Sequence, residues 1–246
     1  MSHPRFLVPL LKSVGTISLP DEEAHHASRV LRCQPGDIVI LFDGNGNEAT
    51  ATIEAVSKRS VEATIQAHAF APRDHSGRLN FAVALPKGDR QKSTVEKLVE
   101  LGADSLTPLA TSRSVAVVDE SNVDRLVRYA IEACKQCRRN RLMLVGTTLT
   151  LNELNIGQPH LQTWILHPTL STTKCYSIRE ASRLELTYPP QKLLFLVGPE
   201  GGFADDEVEL AVSLGAKVLM LGDRIQRVET AVSTAAVLGS YWLAES

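Results

Sequence analysis

The hydrophobic and polar positions fall into two textures along the chain. Between Phe6 and Phe70 the apolar positions come in short, strand-like groups. Asp37–Phe42 is an almost unbroken apolar run, whereas Ala49–Val56 and Ser60–Ala67 alternate apolar with polar residues. That alternation is the period of a half-buried strand. Gly44-Asn45-Gly46-Asn47 separates the first two runs and predicts a turn, because Gly and Asn tolerate positive φ. One short helix is expected over Glu22–Leu31, and Pro35-Gly36 opens the strand after it. These elements predict a small β-barrel or curled sheet.

Beyond Ala71-Pro72-Arg73-Asp74-His75-Ser76-Gly77, a polar stretch that reads as a linker, the period changes. Leu79–Leu85 predicts a strand. Ser93–Leu101 predicts a helix with Val95, Leu98 and Val99 on one face and Gly102 as its stop. Ser121–Cys137 carries an apolar stripe from Val123 to Cys134, with Ser121 and Asp124 resembling a capping box. Thr163–His167, Lys192–Val197 and Lys217–Leu221 predict short buried strands. Asp205–Leu214 and Glu229–Leu243 predict helices. Strands alternating with helices imply a mostly parallel α/β sheet. The expected division is a first domain over 1–72 and a second over 73–246.

Composition narrows the function. The chain has 246 residues, 43% of them hydrophobic, enough to bury a sizeable core. Its net charge of -2 excludes a globally basic nucleic-acid binder but leaves room for a local patch. Aromatic residues make up only 5%, too few for a binder built mainly on stacked rings. Cys134 and Cys137 form one C-x-x-C with no second pair, so reduced thiols are expected and no metal site. No apolar run reaches the length of a membrane span, and a cytoplasmic protein is expected.

Three stretches carry candidate chemistry. In Leu193–Gly202 an apolar strand runs straight into Gly-Pro-Glu-Gly-Gly. Ligands in open α/β sheets sit at the carboxyl ends of strands, and glycine lets them approach the backbone. A plain tight turn would also account for these residues. Neither a P-loop nor G-x-G-x-x-G is present, and Asp205, Asp206 and Glu207 at the next helix start would repel a phosphate. Gly222–Thr230 repeats the strand-to-helix logic, with Arg224, Arg227 and Glu229 around a helix start; a surface ion pair with an N-cap is the plainer account. The third stretch is Lys135-Gln136-Cys137-Arg138-Arg139-Asn140-Arg141. Residues 121–145 hold six basic and two acidic side chains, suited to RNA contact or to a solvated helix end. His26, Arg29 and Arg32 share a helical face.

These pieces together resemble one family. LLFLVGPEGGFADDEVELA followed by LGDRIQRVETAVSTAA resembles the knotted SPOUT-class methyltransferases, and within them the ribosomal RNA small-subunit methyltransferase E family. PRFLV, HHASRVLR with PGDIVILFDG, EKLVELGADSLTPL, ACKQCRRNR and LHP resemble family segments in family order. The resemblance implies an N-terminal PUA-like RNA-binding β-barrel and a C-terminal α/β knot. It implies a homodimer that uses S-adenosylmethionine to methylate N3 of one uridine in 16S ribosomal RNA. It also implies three cofactor loops. They hold Leu166, His167 and Pro168; Val197, Gly198 and Gly202; and Leu221, Gly222, Arg224, Ile225 and Arg227. On the same ground Arg5, His26, Arg29 and Arg32 are expected on RNA, joined by Arg138, Arg139, Asn140 and Arg141. Asp223, Gln226, Val228, Lys135 and Arg138 depart from the family pattern.

Uridine N3 carries a proton and needs a base near it, and cations near O2 or O4 where negative charge develops. Arg227 or Arg138 is expected to supply the cation. Glu200 or Glu229 is expected to take the proton or orient the arginine. The competing readings are a catalytically inactive RNA-binding or ribosome-assembly protein, a methyltransferase for another RNA, and, more remotely, a dehydrogenase.

Overall fold

Period-2 patterning in the first part of the chain does produce strands. In the computed structural model, residues 3–57, 60–74, 76–114, 120–168, 174–187 and 191–244 are described. The chain divides into two units: 1–74 with 131–142, and 75–130 with 143–246.

The first unit holds β1 (Arg5–Leu7), β2 (Gly15–Ser18), β3 (Ile38–Phe42), β4 (Asn47–Val56) and β5 (Val61–Phe70). They form one mixed sheet in the order β1-β3-β4-β5-β2. β1 runs parallel to β3, and the other pairs are antiparallel. The alternation of β4 and β5 puts Ala49, Ala51, Ile53, Val61 and Ala63 into a core with Phe6, Val39 and Leu41. The expected helix is in two parts, α1 (Asp21–His25) and a π-helical turn over His26–Val30. Ala24 and Ala27 are its buried contacts to that core. Gly44 at φ +80 and Gly46 at φ +109 make the β3–β4 turn, where Asp43 Oδ1 accepts the N–H of Asn45 and of Asn47.

The second unit is an α/β sheet, parallel throughout among the described residues. Its strands are β6 (Arg78–Val83), β7 (Ser105–Pro108), β8 (Leu144–Val145), β9 (Leu161–Leu166), β10 (Cys175–Ser177), β11 (Lys192–Val197) and β12 (Lys217–Met220). The order is β10-β12-β9-β11-β6-β7-β8. Its helices are α2 (Asp89–Glu100), the first part of α3 (Glu120–Cys137), α4 (Ile178–Thr187), α5 (Asp205–Ser213) and α6 (Val228–Ala244). Small residues let α6 pack tightly: a Cβ on Gly239 would lie 2.6 Å from Leu79 and 2.9 Å from Phe195.

Several elements of the second unit depart from the sequence expectations. α2 begins at Asp89 rather than Ser93, because Gly88 at φ +67 turns the chain and its polar first turn carries no apolar signal. Gln91 in that turn is nonetheless buried and accepts a hydrogen bond from Arg125. β10 and α4 had no counterpart in the pattern, since a glutamate, Glu185, takes a core position in α4. The proposed cap at Ser121 lies outside the described side chains.

Glu185 makes the fold sensitive to pH. Burial pushes its pKa up to about 7, against the pull of Lys217 and Trp164. The raised value means the folded state holds the proton more tightly than the unfolded chain. Glu185 therefore contributes its stability fully below its ordinary carboxylate range, and loses it as pH rises through about 7. Melting temperatures across this range should fall towards alkaline pH for the wild type. Glu185→Gln should flatten that slope; an unchanged slope would remove Glu185 as its source.

Candidate functional site

Parallel strands bring their carboxyl ends to one edge, and here three neighbours end together. Leu166 of β9 pairs with Val197 of β11 on one side and with Leu219 of β12 on the other. The loops that follow these strands surround a cleft of about 380 Å³. This is within the range of roughly 300–1,000 Å³ usual for small-ligand sites.

Ten residues expected at the three loops line this cleft: Leu166, His167, Pro168, Val197, Gly198, Gly202, Leu221, Gly222, Arg224 and Ile225. Arg227 is not among the lining residues. Its side chain is exposed, and its carbonyl accepts the N–H of Thr230 and Ala231 to start α6.

The middle loop is shaped by one ring. A Cβ on Gly198 would sit 2.9 Å from the Phe203 ring, so glycine there lets Phe203 fold beneath the loop. Gly202 at φ +70 closes the turn by donating its N–H to the Pro199 carbonyl at 2.8 Å. The loop then enters α5, where Glu207 accepts the Ala204 N–H at 2.9 Å and offsets the helix's exposed donors. Two arginines that sequence reasoning missed hold this loop. Arg113 donates to the Gly201 carbonyl at 2.9 Å and also lines the cleft. Arg90 pairs with Glu200. Arg113 stands alone in its stretch and Arg90 lies between Lys87 and Lys92, and only folding brings them to the loop.

The third loop carries three of the residues expected to depart from the family pattern, Asp223, Gln226 and Val228. Gln226 spans it, donating to the Leu221 carbonyl at 3.4 Å and accepting from the Thr234 hydroxyl at 3.3 Å. Val228 is buried and lines the cleft, whereas Asp223 is exposed and borders a separate depression with Ser177 and Arg179. His167 donates its backbone N–H to the Leu219 carbonyl. Burial lowers its pKa, with Arg113 adding to the effect and Asp205 and a hydrogen bond to the Phe203 backbone opposing it. Its Nδ1 is buried with no hydrogen-bond partner. Glu229, in the first turn of α6, is half-buried with Oε2 unpartnered.

The basic stretch 138–141 belongs to the first unit, and its side chains separate into two kinds. Arg139 and Asp74 form an ion pair at 2.8 Å with side chains only 4% and 3% exposed. Asn140 is fully buried; its amide donates to Glu48 and to the Ala71 carbonyl, and its oxygen accepts from Arg5. Arg5 also pairs with Glu48 and lies over the Phe42 ring. Burial would raise the pKa of Glu48, but hydrogen bonds from Arg73 and Asn140 and the charges of Arg73 and Arg5 hold it below the usual carboxylate range. Arg5, Arg139 and Asn140, expected on RNA, are thus largely buried and paired within the fold. Arg138 is exposed, as are Arg29 and Arg32. Arg141 is partly exposed and pairs with Asp74, and His26 packs edge-on against Phe6.

Among the described residues no group of His, Cys, Asp and Glu could hold a metal ion. No described helix is long and apolar enough to cross a membrane.

Comparison with known proteins is consistent with this geometry. Residues 73–239 match the model of an RNA methyltransferase domain, and 19–66 that of an RNA methyltransferase PUA domain. The chain is 30% identical to the ribosomal RNA small subunit methyltransferase E of Bacillus subtilis, over 92% of each sequence. A methyltransferase of Legionella pneumophila solved with bound SAM superposes with a TM-score of 0.85 at 31% identity, covering 97% of each chain. The ribosomal RNA small subunit methyltransferase E of Neisseria gonorrhoeae, bound to S-adenosyl methionine, gives 0.84 at 29% identity, covering 96% of this chain and 95% of that one. A mixed N-terminal sheet of the PUA kind, a parallel α/β sheet with three loops around one cleft, and similarity along nearly the whole chain place this protein in the ribosomal RNA small subunit methyltransferase E family.

Proposed function

We propose that this protein is an S-adenosylmethionine-dependent RNA methyltransferase, acting in the cytoplasm as a homodimer on N3 of a uridine in 16S ribosomal RNA. The observation that carries the reading is the cleft at the ends of β9, β11 and β12, whose lining is rich in glycine and proline and also holds Arg113, Glu200, Asp205 and Arg224. The lining fits the cofactor. Gly198 and Gly222 admit close backbone approach, Leu166, Val197 and Ile225 offer apolar contact, and His167 Nδ1 is an unmet polar atom. When bound, S-adenosylmethionine supplies an electrophilic methyl group.

The chain's own groups prepare the acceptor. Glu200 or Glu229 takes the N3 proton or orients an arginine. Glu200 lines the cleft with Arg90 against it, and Glu229 has an unpartnered oxygen at the start of α6. Arg227 or Arg138 neutralises the charge that develops on the uridine oxygens. His26, Arg29, Arg32, Arg138 and Arg141 dock the RNA backbone. The homodimer is supported by α6, whose Val237 and Tyr241 lie one turn apart and are 55% and 50% exposed.

Calorimetry with S-adenosylmethionine, and S-adenosylhomocysteine as second ligand, tests this reading. Saturable binding is expected. Gly198→Ala should weaken it by about 5- to 150-fold, since overpacking of this kind costs about 1–3 kcal/mol and would push Phe203 out of place. A folded protein that binds neither ligand would transfer the preference to an RNA-binding protein without methyltransferase activity. Mass spectrometry of modified nucleosides would separate 16S ribosomal RNA from other RNA targets.

A further inference from the structure

Phe70 is 66% exposed at the last position of β5. Among the described residues of the first unit, the other strongly exposed apolar side chains, such as Leu10, Val14 and Val30, are aliphatic. The ring is also braced. A Cβ on Gly46 would lie 2.8 Å from its Cε2 and 3.2 Å from Pro72, so the β3–β4 turn lies directly against it. A braced, bare ring has already lost the freedom that binding would otherwise remove.

Its neighbourhood is basic. Ala71, the next residue, donates its N–H to the Gly46 carbonyl at 2.7 Å, and Gly46 donates to the Asn140 carbonyl at 3.0 Å. Arg73 reaches the Arg138 carbonyl at 2.8 Å. These bonds bring Phe70 into one cluster with Arg5, Arg73, Arg138, Arg139 and Arg141. The carboxylates facing those five arginines are Glu48 and Asp74, while Asp43 is taken up by the turn's own N–H donors. The cluster is net positive within a chain of net charge -2. Arg138 is exposed, and its φ of +65 is held in part through the bond from Arg73.

We infer that Phe70 is a stacking platform for one unpaired nucleobase of the RNA, with Arg138 beside it taking the adjoining phosphate; this rests on the RNA-methyltransferase reading above. A protein partner would also cover an exposed ring, but the surplus of arginine favours a polyanion. Stacking is tolerant of sequence because every base presents a π-face, so the platform would hold a strand rather than choose its sequence.

The test is fluorescence anisotropy with a labelled single-stranded oligouridine. Phe70→Ala should weaken binding by about 5- to 100-fold, the range found for loss of one base stack. It should leave the dependence of log K on log salt unchanged, whereas Arg138→Ala should reduce that slope by about 1. Phe70→Trp should preserve affinity, and its emission should be quenched as RNA is added. Trp164 and Trp242 are both buried, so the new signal would be the exposed one. Phe70→Ala binding like the wild type, or tryptophan emission indifferent to RNA, would overturn the platform alone. A wild-type chain that binds no RNA would overturn the RNA reading and the platform with it. A change of oligomeric state on Phe70→Ala, with RNA affinity intact, would make the ring a protein contact and also overturn the proposal.

Discussion

Asp74→Ala should destabilise the first unit by about 3–5 kcal/mol, the cost of removing one partner of a buried ion pair. The carboxylate is 3% exposed and takes Arg139 on one oxygen at 2.8 Å and Arg141 on the other at 3.3 Å. Arg139 is itself 4% exposed and would lose this carboxylate in a dry site. Urea unfolding followed by far-UV circular dichroism checks this. Both tryptophans lie in the second unit, so their fluorescence follows that unit, whereas circular dichroism follows both. The expected result is an early component in circular dichroism that fluorescence does not share. Arg139→Met added to Asp74→Ala should recover much of the loss, because it removes the buried charge that Asp74 compensates while keeping much of its volume. Coincident, unshifted transitions in Asp74→Ala would show that this pair is dispensable.

Arg227→Ala should lower kcat by about 10²- to 10³-fold, the usual effect of deleting one group that stabilises developing negative charge. The S-adenosylmethionine Kd should stay within a small factor of the wild type, because Arg227 is exposed and does not line the cleft. Single-turnover methylation with saturating cofactor separates the two. An unchanged turnover would leave Arg138 as the cation for this step. A weakened Kd with unchanged turnover would instead make Arg227 a residue that shapes the cofactor loop, through the carbonyl with which it starts α6.

Much of this site was legible in the chain because its chemistry is local. Val197 to Gly202 is a strand end, a glycine turn and a helix start in one continuous segment, so composition and order specify the loop. The same holds for the turn at Gly44–Asn47, where short-range φ requirements select the residues, and for β11, predicted over the residues it occupies. Where a polar residue took an apolar position, the pattern was silent. Gln91 in α2 and Glu185 in α4 are buried, and each interrupts the periodicity that would mark its helix.

The basic segment shows the complementary limit. Arg138, Arg139 and Arg141 are equivalent as charges in sequence. Burial and pairing with Asp74 separate Arg139 from the exposed Arg138, and Asp74 is more than sixty residues away in the chain. Arg113 and Arg90 likewise become parts of the Gly198–Phe203 loop only through contacts about a hundred residues distant. Strand ends, turns and helix starts depend on neighbours within a few residues, so the sequence by itself determined them, and with them the loops after β11 and β12, whereas the loop at Leu166–Pro168 was expected only from the family resemblance. Which cations face solvent, which close a loop and which are neutralised inside depends on long-range pairing and desolvation, and that was decided by the tertiary structure alone.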